Sequence, residues 1–112
     1  FPTHVTLGAR GGVLATSCLF PRLWAEIFGL ARAGHLERAR ALHRRVMTAV
    51  DVLFAEHNPA PLKAAFAWLG QSQGEVLPPL EPASAALRAR LAAVLPPILE
   101  EERALSKRSA AA

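Results

Sequence analysis

The chain has 112 residues, enough for one small domain or for part of a larger protein. Apolar residues make up 52% and charged residues 20%, which excludes a disordered chain. No apolar run approaches the roughly 18 residues needed to cross a bilayer, so no membrane partner is expected.

The net charge of +4 comes from eleven arginines and two lysines, Lys63 and Lys107. Arg38, Arg40, Arg44 and Arg45 lie off the apolar stripe of a predicted helix and read as a solvated face. No aromatic or glycine pattern of a nucleic-acid module accompanies them, so no nucleic-acid partner is expected. The single cysteine, Cys18, excludes an internal disulfide and suits a reducing compartment.

Residues 1–11 are mixed and polar, with Gly8, Gly11 and Gly12 nearby. Val13-Leu14-Ala15-Thr16 is short, apolar and partly β-branched and reads as a buried strand. Pro21 then suits the first turn of a helix over about Phe20 to Ala33. Leu23, Ile27 and Leu30 form its apolar face, with Trp24 and Phe28 beside them, and Gly34 closes it. A second helix is predicted from Leu36 to about Glu56, with Leu36, Ala39, Leu42 and His43, Val46, Ala49 and Val50, and Leu53 recurring at helical spacing.

His57-Asn58-Pro59-Ala60-Pro61 interrupts that pattern, because Pro59 cannot continue a helix and biases Asn58 away from the α region. A short third helix follows from Pro61 to Leu69. Its face carries Leu62, Phe66 and Leu69, of which Leu62 and Phe66 are expected to pack on Val50 and Phe54, and Gly70 ends it. Residues 71–83 form a proline-rich loop. Ser84 is the expected N-cap of a fourth helix carrying Leu87, Leu91 and Leu95. Pro96-Pro97 is expected to stop or kink it, leaving Glu100, Glu101 and Glu102 in the first turn of a last helical piece. Residues 109–112 are assigned no structure. One strand and four or five helices do not make a closed fold, since a lone strand needs a sheet to join. With Phe1 in place of an initiating Met, this reads as a piece of a longer chain.

Chemical signatures are sparse. The glycines match neither G-x-G-x-x-G nor a phosphate loop. His35 and His43 stand about 12 Å apart along one helix axis, and no Cys/His set has zinc spacing, so no metal or cofactor site is expected. Surface or capping roles suit the histidines. Cys18, just before a helix start, is either a lowered-pKa thiol or a buried inert one, the latter favoured. Lys63 among apolar neighbours invites a Schiff-base reading, against which an ordinary helix lysine is the stronger account.

Four stretches resemble the C-terminal part of the dihydrodipicolinate synthase and N-acetylneuraminate lyase family. Leu7-Gly8-Ala9-Arg10-Gly11-Gly12-Val13-Leu14 resembles the segment leading into its last barrel strand. Ala33-Gly34-His35-Leu36-Glu37-Arg38-Ala39 through His43 resembles its A-G-(D/H) helix start. Asn58-Pro59-Ala60-Pro61-Leu62-Lys63-Ala64-Ala65 resembles its N-P-x-P-x-K-x-A turn, a feature of the synthase branch. Leu77-Pro78-Pro79-Leu80-Glu81-Pro82 looks like a degraded R-L-P-L-x-P segment.

The resemblance implies an α/β fold, a (β/α)₈ TIM barrel with an appended helical domain, of which this chain is the mostly α C-terminal portion. Residues 1–34 would hold the last barrel strand and helix, and residues 35–112 the C-terminal helical domain. It further implies class I aldolase or lyase chemistry on pyruvate or another 2-oxo acid, through a lysine Schiff base. A cytoplasmic homo-oligomer, a tetramer in the family, needing neither metal nor cofactor goes with it. Val13 alone carries over as an active-site position, its backbone lining the pyruvate pocket. No catalytic residue carries over: the family's reactive lysine and tyrosine lie upstream, and this chain has no tyrosine. Leu14 and Cys18 stand where Ser and Asn are usual, and Leu77 where Arg is usual. These departures leave open a relative acting on another 2-oxo acid, or a non-catalytic helical interaction module.

Overall fold

Proline and glycine set the helix boundaries. The computed structural model describes residues 1–110, and its described residues hold five α-helices and no strand. They are α1 (Pro2–Thr6), α2 (Pro21–Arg32), α3 (Leu36–Leu53), α4 (Ala60–Trp68) and α5 (Ala85–Ala110), with a 3₁₀ turn at Ala15–Cys18. Pro2, Pro21 and Pro61 sit in first turns, where a missing N–H has no intrahelical partner to lose. Helices α2 and α4 end alike. Gly34 and Gly70 take positive φ of 81° and 72°, and the next residue's N–H reaches back to a carbonyl, His35 to Leu30 and Gln71 to Phe66, both at 2.9 Å. These are Schellman caps, and they need glycine because a Cβ is disfavoured at that φ.

Two units divide the chain. The first takes Phe1–Met47 together with the chain from Ile98 on; the second is Thr48–Pro97. In the first unit, Phe20, Leu23, Ile27, Ala39 and Val46 are fully buried, with Val5, Leu19, Trp24, Ala31, Ile98 and Leu99 nearly so. In the second, Ala49, Leu53, Pro61, Ala65, Leu91 and Leu95 form the most buried set.

Several expectations change. Residues 13–16 are not a strand. Leu14 is extended, Val13 is fully exposed, and the chain turns at Ala15–Cys18. The described residues offer no neighbouring strand, so the backbone N–H and C=O groups bond locally instead, Ser17 to Leu14 and Leu19 to Thr16. Helix α3 stops at Leu53, three residues earlier than expected, ahead of the Asn58-Pro59 bond, which is cis.

Helix α4 buries its small residues Ala60, Pro61, Ala64 and Ala65, while Leu62, Phe66 and Leu69 are half-buried. Phe54, their expected partner, is 54% exposed. The Pro96-Pro97 pair does not stop α5, which runs on with Ile98, Leu99 and Glu102 buried beyond it. Burial continued on the Leu87, Leu91, Leu95 stripe outweighs the two lost amide donors. Helix α5 reaches Ala110, so it includes two of the four tail residues assigned no structure; residues 111 and 112 lie outside the described residues.

Candidate functional site

The stretch from Gly11 to Cys18 connects a glycine-rich turn to α2, and three contacts hold its ends. At the near end, the Phe1 ring approaches Gly12 so closely that a Cβ there would lie 2.9 Å from Phe1 Cε2. Phe1 meets Trp24 edge-on at 5.7 Å and stacks on Phe28 at 6.3 Å. At the far end, the buried indole Nε1 of Trp24 donates to Thr16 Oγ1 at 3.1 Å. Between these, the Ser17 hydroxyl donates to the Leu14 carbonyl at 2.7 Å. The result is a short segment pinned at both sides with Val13 projecting into solvent.

Helix α2 has no side-chain cap of its own, since Phe20 is its N-cap residue. Its open donors are met from far along the chain. The Glu102 carboxylate accepts from the N–H of Arg22 at 3.0 Å and of Leu23 at 2.8 Å. Its Oε1 also lies 3.6 Å from an Arg22 guanidinium nitrogen. Pro21 has no N–H, and the Phe20 N–H donates to the Thr16 carbonyl, so every donor at this helix start has an acceptor. A negative carboxylate at a helix N-terminus also complements the helix dipole. Glu102 was expected to serve its own helix instead. The signal that reveals it is periodicity, because Leu95, Ile98, Leu99 and Glu102 continue one stripe at helical spacing, and an acid on an apolar stripe demands a partner.

The other candidates fall elsewhere. Cys18 is exposed, not buried. Lys63 is exposed at the start of α4, and its Nζ donates to the Glu75 carbonyl at 2.6 Å. His43 is neither a surface nor a capping residue. It lies half-buried with its ring edge-on to Trp24 at 5.8 Å, and burial first, then the positive amino terminus, push its pKa below 6.5. Among the described residues no group of three or more His, Cys, Asp or Glu could hold a metal ion, and no helix is long and apolar enough to cross a membrane. An open pocket of about 600 Å³ lies between α1, α2 and the start of α3, with Arg10 and Arg32 on its walls.

Solved dihydrodipicolinate synthases share this arrangement of helices. The enzyme from Thermotoga maritima superposes with a TM-score of 0.83 at 31% identity, over 87% of this chain and 33% of that one. The 4-hydroxy-tetrahydrodipicolinate synthase of Methylacidiphilum fumariolicum gives 0.81 at 30% identity, over 96% of this chain and 35% of that one. The fold is therefore that of a part of these synthases. The model of the dihydrodipicolinate synthetase family matches residues 1–97, and the chain belongs to that family. A curated relative, the 4-hydroxy-tetrahydrodipicolinate synthase of Trichlorobacter lovleyi, is 38% identical over 84 residues, 75% of this chain. The chain spans 29% of that relative's length.

Proposed function

We propose that this chain is the C-terminal portion of a pyruvate-dependent class I aldolase or synthase, cytoplasmic and homo-oligomeric in its intact form. Residues 1–34 then complete a (β/α)₈ barrel, and residues 35–112 form the appended helical domain. Carbon–carbon bond formation or cleavage takes place on a Schiff base, made when a lysine amine upstream of Phe1 condenses with the ketone of pyruvate, or of another 2-oxo acid, and water leaves. Val13, on the last-strand segment, contributes its backbone to the wall of that pocket; barrels of this class build their sites at the C-terminal ends of their strands.

One observation carries the reading: a segment matched to the synthase family holds an apolar Val13 fully bare while pinned on both sides. A valine so held and left in water fits a segment whose neighbours are supplied by the rest of a barrel. Lys63 is no substitute nucleophile, since it is bonded to a loop carbonyl in solvent and nothing there desolvates it.

The test is reduction by borohydride in the presence of pyruvate, followed by digestion and mass spectrometry. The intact protein gains a reduced pyruvyl group on a lysine upstream of Phe1, and the 112-residue chain alone gains none. An adduct on Lys63 or an intact protein that never forms one overturns the proposal, the latter in favour of a non-catalytic helical module.

A further inference from the structure

We infer that Glu102 is a positioning residue for the pocket wall that carries Val13. This rests on the reading of Val13 just proposed. Glu102 belongs to the stretch after residue 97, beyond the region matched by the family model, yet it reaches the first turn of the helix that follows the Val13 segment. The carboxylate is buried and uses both oxygens, one on each of two adjacent N–H groups. Those two groups are what the helix start has left to satisfy, because Pro21 lacks an N–H and Phe20 offers no side-chain acceptor.

The connection to Val13 is short and made of hydrogen bonds. Leu23 is bonded to Glu102, and its neighbour Trp24 donates its indole N–H to Thr16. The Trp24 backbone N–H donates to the Phe20 carbonyl, and the Phe20 N–H donates to the Thr16 carbonyl, both at 3.1 Å. Thr16 is therefore held twice from the first turn of α2, and Ser17 ties the same turn to the Leu14 carbonyl next to Val13. Releasing the carboxylate frees the two N–H groups that start α2, and the disturbance passes through Thr16 to the backbone at Val13 and Leu14. The last stretch of the chain thus sets the geometry of a wall near its beginning.

Charge is part of the assignment. Glutamine has one acceptor oxygen where Glu102 uses two, so Glu102→Gln sets an NH₂ donor against a backbone donor. Glu102→Asp keeps both acceptors on a shorter arm. A role limited to filling space would rank Gln above Asp; a positioning role ranks Asp above Gln.

Two measurements test this. In the 112-residue chain, nitrogen-15 spectra follow the Trp24 indole N–H and the backbone amides of Leu14, Thr16 and Leu23. Glu102→Gln is expected to speed exchange of the indole N–H and shift the Leu14 and Thr16 amides, and Glu102→Asp to restore most of the wild-type pattern. In the intact protein, Glu102→Gln is expected to raise KM for pyruvate about tenfold with kcat within about twofold, and Glu102→Asp to recover most of the loss. Unchanged Leu14, Thr16 and indole signals in Glu102→Gln overturn the inference whatever the enzyme does. A Gln variant that fails to fold leaves the Asp variant, in which unchanged Leu14, Thr16 and indole signals together with a wild-type KM overturn it equally. If the wild-type intact protein shows no pyruvate chemistry, the reading of Val13 fails, while the spectra still decide whether Glu102 holds the segment.

Discussion

Ser84 donates twice to Glu56 across 28 positions of sequence: its N–H to Oε2 at 3.0 Å and its hydroxyl to Oε1 at 2.5 Å. The same hydroxyl oxygen accepts from the Leu87 N–H at 3.1 Å, which makes Ser84 the N-cap of α5. Glu56, three residues past the end of α3, is thereby tied to the residue that caps α5. Ser84→Ala removes the cap and the hydroxyl tether, leaving the backbone N–H on Glu56, and is expected to cost about 1 kcal/mol in urea denaturation. The Glu56 carboxyl is held below its ordinary 4.5 by the Ser84 hydroxyl first and the Ser84 N–H second. The folded form therefore binds this proton more weakly than the unfolded form. Its stabilisation is present above pH 4.5 and fades as pH falls through the lowered folded value. In Ser84→Ala the larger share of this acid dependence, the hydroxyl's, is expected to vanish while the backbone N–H keeps the rest; an unaltered acid limb between the two proteins would contradict it.

His43 gives a second acid sensitivity of opposite chemistry. Burial against Trp24 disfavours the imidazolium, so its folded pKa lies below 6.5. The unfolded chain takes up this proton first. Stability is thus complete above pH 6.5 and declines below it, down to the lowered folded value. His43→Phe keeps a ring edge for Trp24 and removes the titration. Thermal unfolding across that window is expected to show a flatter midpoint against pH for the variant, and an equal slope would refute the assignment.

Much of the helical framework is readable from the chain because its punctuation is local. Pro21 and Gly34 bound α2, Gly70 ends α4, and Ser84 precedes α5, each acting within a turn of its own position. The segment at Val13 is not readable this way. Its β-branched, apolar residues suit a strand, yet whether they become one depends on having a strand to pair with, and the described residues offer none. Helix α4 misleads for a different reason. Its large residues set the visible period, but the residues it buries are Ala60, Pro61, Ala64 and Ala65. Glu102 is legible as an acid on an apolar stripe, but its partners are not, since they are backbone groups of Arg22 and Leu23 that no side-chain pattern advertises.

The proline pair in α5 makes a third prediction. Pro96 and Pro97 deprive the carbonyls four residues earlier, on Ala92 and Ala93, of their helical donors, and those alanines are exposed, so water takes over. Pro97 itself is exposed, so replacing it disturbs no packing. Pro97→Ala restores one N–H and removes one ring clash, offset in part by a more flexible unfolded chain. A net gain of about 2 kcal/mol is expected in chemical denaturation. A loss would mean that the break in the ladder is itself used by the fold.

A pair of substitutions tests the orientation of the segment before α2. Val13 is fully exposed, whereas Phe20, seven residues on, has no exposed surface. Val13→Asp therefore buries no charge and removes no contact; in the 112-residue chain its cost is expected to stay within about 0.5 kcal/mol. Phe20→Ala empties a filled site next to Leu23 and Trp24 and is expected to cost about 3–5 kcal/mol. The intact protein should reverse the ranking in function. There the Val13 backbone lines the proposed pocket, and a carboxylate borne on that wall adds negative charge near the 2-oxo acid and repels the substrate carboxylate. Val13→Asp is then expected to raise KM for pyruvate at least about tenfold while leaving the midpoint of unfolding of this chain unchanged. If Val13→Asp destabilises the 112-residue chain as much as Phe20→Ala does, the segment is packed inward and the account of Val13 as a bare pocket wall is wrong.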